Sequence, residues 1–168
     1  MRIETVEIFT HVDPRTTPPT VRHFDVDAMQ RYIYGYILQR GALPEGVEIA
    51  RVELDEALIA NVKAFGGVEP EHVERIQRDA DLLKAVLPAI ACHMDDGTQL
   101  IVDGHHRLVA LWYSDAREAR MVFFRLGAWE RFLVALPPEV ERQFVADIKP
   151  TVPPELPHRW GEIYDGGM

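Results

Sequence analysis

Cysteine and long apolar runs are scarce in this chain. Cys92 is the single cysteine, so an intramolecular disulfide is excluded and the composition is typical of a reducing compartment. No apolar run approaches the roughly 18 residues that a membrane-spanning helix needs. The N-terminal residues MRIETVEIF also lack the basic region and apolar stretch of a secretory signal. Together these absences predict a cytoplasmic protein without a membrane segment.

Basic residues are also in short supply. The chain has 18 Lys and Arg against 27 Asp and Glu, which gives a net charge of −9 at pH 7. A DNA-binding surface is built from clustered Lys and Arg that displace counterions from phosphates, and no basic run of that kind is present. A fold can still gather its basic residues on one face, but duplex DNA is disfavoured as the main partner.

What is present is the composition of an ordinary globular domain. The 168 residues are 47% hydrophobic and 27% charged, which is enough to build one domain over 1–168 with a sizeable core. The predicted elements of the N-terminal half are a strand over 3–12, a loop over 13–20, a helix over 25–40 that ends at Gly41, a strand over 47–53 and a helix over 54–65 that is capped by Asp55.

The C-terminal half predicts a hairpin between helices. Its elements are a helix over 69–85 that begins near Pro70, strands over 88–94 and 98–102 joined by Asp95-Asp96-Gly97, a helix over 105–116, a strand over 118–126 and two helices over 128–136 and 137–148. The last eighteen residues contain three prolines and predict an ordered arm or a loose tail. The middle of the chain therefore alternates helix and strand as in mixed α/β or α+β folds.

The residues Asp103-Gly104-His105-His106-Arg107 lie where the second hairpin strand gives way to a helix. A helix N-terminus exposes unpaired N–H groups and the positive end of the helix dipole, so phosphate binds there readily. Gly104 permits a sharp turn and close approach of a ligand to the backbone. Arg107 can offer a planar fork to phosphate oxygens, and the histidines can add N–H donors. The motif is suited to an anionic ligand.

Other interpretations of the same residues stay open at this point. A turn of Asp and Gly before a helix with solvated polar residues would explain the motif without any ligand. A zinc site formed by His93, His105 and His106 lacks standard ligand spacing. Cys92 lies in an apolar strand, which indicates a core position and not a nucleophile.

The segment LPAIACHMDDGTQLIVDGHHRLVAL resembles the ParB/sulfiredoxin-like superfamily. The shared features are a hairpin, a short Gly-containing motif that ends in Arg, and a helix with a small residue, here Ala110, three positions later. The resemblance covers about 48–126 and implies an α+β fold, a mixed sheet with helices, to which N- and C-terminal helical extensions are added. In this superfamily the motif holds nucleotide phosphates.

Members of the superfamily differ in the motif itself. Sulfiredoxins carry a reactive cysteine where this chain has His105, and ParB proteins carry Gly-Glu-Arg-Arg, bind CTP and have a helix-turn-helix domain that is not found here. The form Asp-Gly-His-His-Arg is most similar to the free serine kinases. That resemblance implies Asp103 and His106 in catalysis, Asp103 at Mg²⁺, and contacts from Gly104, His105, His106 and Arg107 to the phosphates of ATP or ADP.

The resemblance also implies roles outside the motif. The family helix equivalent to 69–85 contacts the nucleotide, and the matching residues here are His72 and Arg75, whereas Asp79 replaces a small hydroxyl residue. A solvated polar face explains this helix equally well. The kinases use an N-terminal glutamate as base, for which Glu4, Glu7 and Glu48 are the candidates.

Two functions are consistent with this motif and its resemblance. The first is an ATP- or ADP-dependent phosphotransferase or nucleotide hydrolase that acts on a small-molecule acceptor. The second is a non-catalytic nucleotide-binding module that acts through a protein or DNA partner. In either, residues 1–47 and 127–168 are candidates for closing the pocket, for oligomerisation or for binding a partner. Asp103 could alternatively be a plain cap that accepts the N–H groups of His106 or Arg107.

Overall fold

The computed structural model describes residues 2–3, 6–65, 67–79, 88–156 and 158–160 and has an α+β architecture. Its main sheet has five strands. In chain order they are β4 (Val47–Glu53), β5 (Ala89–His93), β6 (Gln99–Asp103), β7 (Glu118–Phe124) and β8 (His158–Trp160). The spatial order is β6-β5-β7-β4-β8, and the sheet is mixed because β5 and β7 are parallel while the other pairs are antiparallel.

In the described part of the chain, three helices cover one face of this sheet. They are α2 (Glu56–Ala64), α3 (Pro70–Arg78) and α4 (His105–Tyr113). Asp55 caps α2 by accepting the N–H of Leu58 at 2.8 Å, and Pro70 begins α3. The predicted caps, hairpin and strand-to-helix junction are therefore confirmed. The rest of the predicted helix, residues 80–85, lies outside the described residues.

The main sheet has a hydrophobic core on each of its two faces, and strand β5 contributes to both. Ala89 and Ala91 belong to the core under α2, α3 and α4, whereas Ile90 and Cys92 belong to the core on the opposite face. This alternation follows from the two-residue period of a strand. Cys92 is fully buried, and burial raises the pKa of its thiol well above the ordinary value. Its predicted core position is confirmed.

The N-terminal extension was predicted to be helical, but it consists of a small three-stranded sheet and one helix. Strands β1 (Arg2–Ile3), β2 (Val6–Asp13) and β3 (Thr20–Asp25) are antiparallel, and helix α1 (Val26–Arg40) follows. Gly41 ends α1 in the left-handed conformation, as predicted, and Asp25, which was predicted to lie inside the helix, is its N-cap. Strand β3 was not anticipated because Thr20–Asp25 is only partly alternating. It pairs in register with β2.

The prediction of a helix over 128–136 is wrong. Only Glu130–Phe132 forms a short 3-10 turn, after which Leu133 pairs with Phe24 and Val134 donates its N–H to the carbonyl of His23. The edge of β3 accepts this segment as an extended chain, and burial of Trp129 and Phe132 fixes it there. The C-terminal extension contains one described α-helix, α5 (Pro138–Val145), so the predicted helical extensions are corrected at both ends.

No helix in the described part of the chain is long and apolar enough to cross a membrane.

Asp13 provides a test of how the β2–β3 loop is held. Arg15 donates to the Asp13 carboxylate from Nε at 2.9 Å and from Nη2 at 2.7 Å, and it also contacts Asp96 in the β5–β6 turn. These bonds lower the pKa of Asp13, whose side chain is buried, to about 2. Asp13→Asn should therefore lower the free energy of unfolding at pH 7 by about 2 kcal/mol.

The pH dependence gives the sign of this effect. Because the folded-state pKa of Asp13 is depressed, its stabilisation is present above the unfolded pKa of about 4 and is lost as the pH falls toward 2. Urea unfolding at several pH values measures it. Asp115→Asn is the control, because Asp115 is 93% exposed and lies 3.8 Å from Arg117. Equal acid sensitivity of Asp13→Asn and the wild type would contradict the assignment.

Candidate functional site

The turn between β6 and α4 depends on Gly104. Its φ of 96° lies in the left-handed region, where side chains are strained. A Cβ at this position would lie 2.7 Å from the Cβ and 2.8 Å from the Cα of Ala89 on β5. The turn therefore packs directly on the neighbouring strand, and only glycine fits there.

The N-terminus of α4 has no side-chain cap. The first intrahelical bond of this turn is donated by Leu108 to the carbonyl of Gly104 at 3.0 Å. The N–H groups of His105, His106 and Arg107 precede it and have no acceptor within the helix. The alternative in which Asp103 caps the helix is therefore wrong for this structure. The helix presents its donors and the positive end of its dipole to the space beside the turn.

Asp103 is held by two other side chains. Its Oδ2 accepts a hydrogen bond from Nη2 of Arg107 at 2.9 Å and one from Nε2 of Gln30 at 2.8 Å. The side chains of Arg107 and Asp103 are 20% and 13% exposed, so their ion pair is partly shielded from water. The arginine fork therefore folds back over the turn, and one of its donors is committed to Asp103.

Helix α1 contributes two polar residues to this cluster that sequence reasoning missed. Gln30 bonds to Asp103, and Tyr34 has a buried hydroxyl with no hydrogen-bond partner among the described residues. Burial raises the pKa of Tyr34, and the charges of Arg107 and Asp103 act on it. Gln30 and Tyr34 are four residues apart and adjoin the buried Met29 and Ile33. Polar residues at this spacing beside an apolar stripe were the available signal.

His105 lies in an aromatic environment. Its ring stacks on Phe9 with centroids 5.2 Å apart, and Phe65 lies 6.0 Å away. Its Nε2 is buried and has no hydrogen-bond partner among the described residues. Burial lowers the pKa of His105 to about 4, against opposing contributions from Asp103 and from a backbone hydrogen bond with Ile101. The imidazole is therefore neutral at pH 7 and retains an unused nitrogen.

His106 has a different environment from His105. Its Nε2 accepts the N–H of Glu69 at 3.0 Å, and its ring lies 4.2 Å from that of His72 on α3. Burial, and then the nearby His72, lower the pKa of His106. His106 thus fixes the segment that leads into α3. As a proton acceptor it would first have to release the N–H of Glu69.

A pocket of about 350 Å³ opens at the helix N-terminus. This volume is within the range of small-molecule sites, which are about 300–1,000 Å³. Its walls come from β2, from the end of α2, from the turn itself and from the chain after α5. The lining residues are Glu7, Ile8, Phe9, Thr10, Phe65, Gly67, Val102, Asp103, Gly104, His105, His106, Asp147 and Ile148.

Among the described residues, three carboxylates line this pocket, from Glu7, Asp103 and Asp147. Within the described ranges, no group of three or more His, Cys, Asp or Glu residues is placed to hold a metal ion. Mg²⁺ usually keeps several waters and uses one or two carboxylates together with substrate phosphates. A single carboxylate, such as that of Asp103, fits this kind of site, whereas a complete protein cage for a metal is not formed by the residues described.

The predicted residues outside the motif are only partly brought to the pocket. His72 contacts His106, but Arg75 is exposed on α3 and does not line the pocket. Of the glutamate candidates, Glu7 lines the pocket, Glu48 pairs with Arg125, and Glu4 lies outside the described residues. Among the described glutamates that were candidates for the base, Glu7 is therefore the one beside the turn.

The histidines of the zinc alternative have separate neighbours. His93 stacks on Phe123 with centroids 5.0 Å apart, whereas His105 and His106 contact Phe9 and His72. These three described histidines do not form a metal-binding group. Comparisons of the chain with family models, with curated proteins and with solved structures found no match.

Proposed function

We propose that the protein binds a nucleotide with its phosphates at the N-terminus of α4. The observation that carries this proposal is the uncapped helix end beside a pocket, at a turn where glycine permits close approach. Backbone donors and the helix dipole favour negative charge. Arg107 pairs with Asp103 and does not line the pocket, so the donors that we propose for the phosphates are those that Asp103 does not engage. The buried Nε2 of His105 is a further polar group without a partner among the described residues.

The aromatic side of the same pocket suits the rest of such a ligand. Phe9 and Phe65 provide an apolar surface next to the helix end. A base or ribose can pack there while the phosphates face the turn. The ligand that we propose is ATP or ADP. Mg²⁺ would offset the repulsion between phosphates and the pocket carboxylates, with Asp103 as the protein ligand.

We further propose a phosphotransferase or nucleotide hydrolase that acts on a small hydroxyl compound. Glu7 lies in the pocket and is the candidate base. In this scheme the chain positions the acceptor and removes its proton, and Mg²⁺ held by Asp103 would supply positive charge that offsets the charge on the phosphoryl group. We interpret 48–126 as a ParB/sulfiredoxin-like core and the cytoplasm as the site of action.

One observation favours the second function, a non-catalytic nucleotide-binding module. Asp103 is tied to Arg107 and Gln30, and the Nε2 of His106 accepts the N–H of Glu69. Both of the residues with an implied catalytic role are therefore engaged in structural contacts. A module of this kind would report the bound nucleotide through a change in these contacts.

Calorimetry with ATP, ADP and CTP tests the binding proposal. Arg107→Ala should weaken ATP binding by about tenfold to a hundredfold, because a charge-assisted hydrogen bond contributes about 1.5–3 kcal/mol. Arg117→Ala is the control, because Arg117 is an exposed arginine just beyond the far end of the same helix. If the wild type binds none of the three nucleotides, or Arg107→Ala binds as tightly as the wild type, the proposal is wrong.

Asp103→Asn separates the two functions. Loss of its negative charge should strengthen metal-free ATP binding severalfold, because a carboxylate near phosphate is repulsive. If Asp103 also holds the cation, the same variant should weaken the Mg²⁺ dependence of binding and abolish phosphate release from ATP. Unchanged Mg²⁺ dependence together with unchanged turnover would remove Asp103 from the chemistry. No turnover in the wild type would favour the module.

A further inference from the structure

A hydrogen-bonded chain of three side chains runs from the pocket wall to the surface. Thr10 on β2 lines the pocket, and its Oγ1 lies 2.8 Å from Nδ1 of His23 on β3. His23 Nε2 in turn lies 3.0 Å from a carboxylate oxygen of Glu141 on α5. Thr10 and His23 are 8% and 4% exposed, and the Glu141 side chain is 41% exposed.

Local structure explains why these three residues meet. Thr10 and His23 are directly opposed in the β2–β3 ladder, so their side chains lie on the same face of that hairpin. Helix α5 packs on this face, where the ring of Phe144 meets that of His23 edge-on. Asp147, which follows α5, lines the pocket together with Thr10. The arrangement is therefore fixed by backbone pairing and by helix packing.

The carboxylate determines the direction of the hydrogen bonds. Ionised Glu141 can only accept, so Nε2 of His23 carries the hydrogen between them. The neutral imidazole then has its lone pair on Nδ1, and Thr10 donates its hydroxyl hydrogen to it. A hydroxyl that donates to an imidazole held by a carboxylate is the arrangement of an activated nucleophile.

We propose that Thr10 is a nucleophilic hydroxyl that accepts a phosphoryl group, with His23 as its base and Glu141 as the residue that orients His23. This inference deepens the proposed function, on which its donor, ATP, depends. In the step, a bond forms between Thr10 Oγ1 and the terminal phosphorus, and the bond from that phosphorus to the bridging oxygen breaks. ADP leaves, and the hydroxyl proton passes to Nδ1 of His23.

The test measures phosphoryl transfer to the full chain. After incubation with ATP and Mg²⁺, intact-mass measurement and peptide mapping should find one phosphoryl group on Thr10. Thr10→Val should remove it and Thr10→Ser should restore it. His23→Gln should slow labelling by about a hundredfold or more, since general-base catalysis contributes about 10²–10⁴. Glu141→Gln should slow labelling less than His23→Gln does. Because the Glu141 side chain is partly exposed, this variant should fold even if the His23 variant does not, so the inference stays testable.

Thr16→Val is the matched control, because Thr16 lies in the exposed loop after β2, where its hydroxyl bonds to the carbonyl of Pro18 and to the hydroxyl of Thr20 at the start of β3. Calorimetry on the same samples shows whether ATP binds, which separates a failure of the proposed function from a failure of this inference. Bound ATP with no phosphoryl group on Thr10, or labelling of Glu141→Gln at the wild-type rate, overturns this inference and leaves the proposed function intact.

If ATP does not bind, the proposed function fails and a fluorophosphonate probe tests the nucleophile directly. In that reaction the phosphorus–fluorine bond breaks, fluoride leaves and Thr10 becomes phosphonylated. Labelling at Thr10 that Thr10→Val and Glu141→Gln reduce supports the nucleophile. The absence of such labelling overturns it.

Discussion

Gly104→Ala should destabilise the protein by about 2–5 kcal/mol. Two physical terms contribute to this value. A left-handed conformation costs an L-residue about 1–2 kcal/mol, and overpacking of a tight site costs about 1–3 kcal/mol. Both apply because φ is 96° and the new Cβ would lie 2.7 Å from the Cβ and 2.8 Å from the Cα of Ala89. Urea unfolding measures the change.

A second glycine separates these two terms. Gly97 in the β5–β6 turn has a φ of 86°, but a Cβ there would meet no atom within 4 Å. Gly97→Ala should therefore show only the conformational cost of about 1–2 kcal/mol. Any further decrease in the free energy of unfolding of Gly104→Ala measures the cost of the contact with Ala89. Equal losses in the two variants would show that the turn can move away from β5.

The same substitution tests the position of the proposed phosphate site. If the turn shifts to accommodate a Cβ, the N–H groups of α4 move with it. ATP binding measured by calorimetry should then fall in Gly104→Ala under conditions where the variant is folded. Gly97→Ala should bind ATP like the wild type, because Gly97 does not line the pocket. A folded Gly104→Ala variant with wild-type affinity would place the ligand elsewhere.

Local signals allowed much of the main sheet to be predicted. Asp55 and Gly41 mark helix ends by chemistry that acts within one turn, and Asp95-Asp96-Gly97 joins two strands with few alternatives. The strand-to-helix junction at Gly104 follows from the same kind of local information. These features were confirmed because their energy comes from neighbours in sequence.

Features that depend on distant partners were not predicted. Residues 128–136 have helical spacing, yet Leu133 and Val134 pair with β3 and Phe132 is buried. Strand β3 itself forms because β2 is beside it. Within the site, Gln30 reaches Asp103 across 73 positions of sequence, and His23 meets Glu141 across 118. No local pattern encodes such pairs.

The fate of Asp103 illustrates the same limit. From sequence, a carboxylate two residues before a helix can cap it, bind a metal or pair with a cation. The choice depends on whether Arg107 folds back and on whether α1 brings a donor. Both occur, so the carboxylate leaves the helix end open. The backbone donors at the start of α4 therefore remain open to the ligand that we propose.

Acid should destabilise the fold through His105 before it affects Asp13. Burial lowers the pKa of His105 to about 4, well below its ordinary value of 6.5. Between these two values the unfolded chain binds a proton that the folded chain does not, so stability falls as the pH falls. The loss should be about 2 kcal/mol between pH 7 and pH 5 and about 3 kcal/mol by pH 4.

His105→Phe isolates this contribution. A phenyl ring can keep the stacking on Phe9 and cannot titrate, so the variant should lose about 2 kcal/mol less than the wild type between pH 7 and pH 5. The comparison is needed because burial also lowers the pKa values of His11, His93 and His106, whose protonation acts in the same direction. Urea unfolding at both pH values measures the difference. Parallel losses in the two proteins would show that His105 is not the residue that resists protonation.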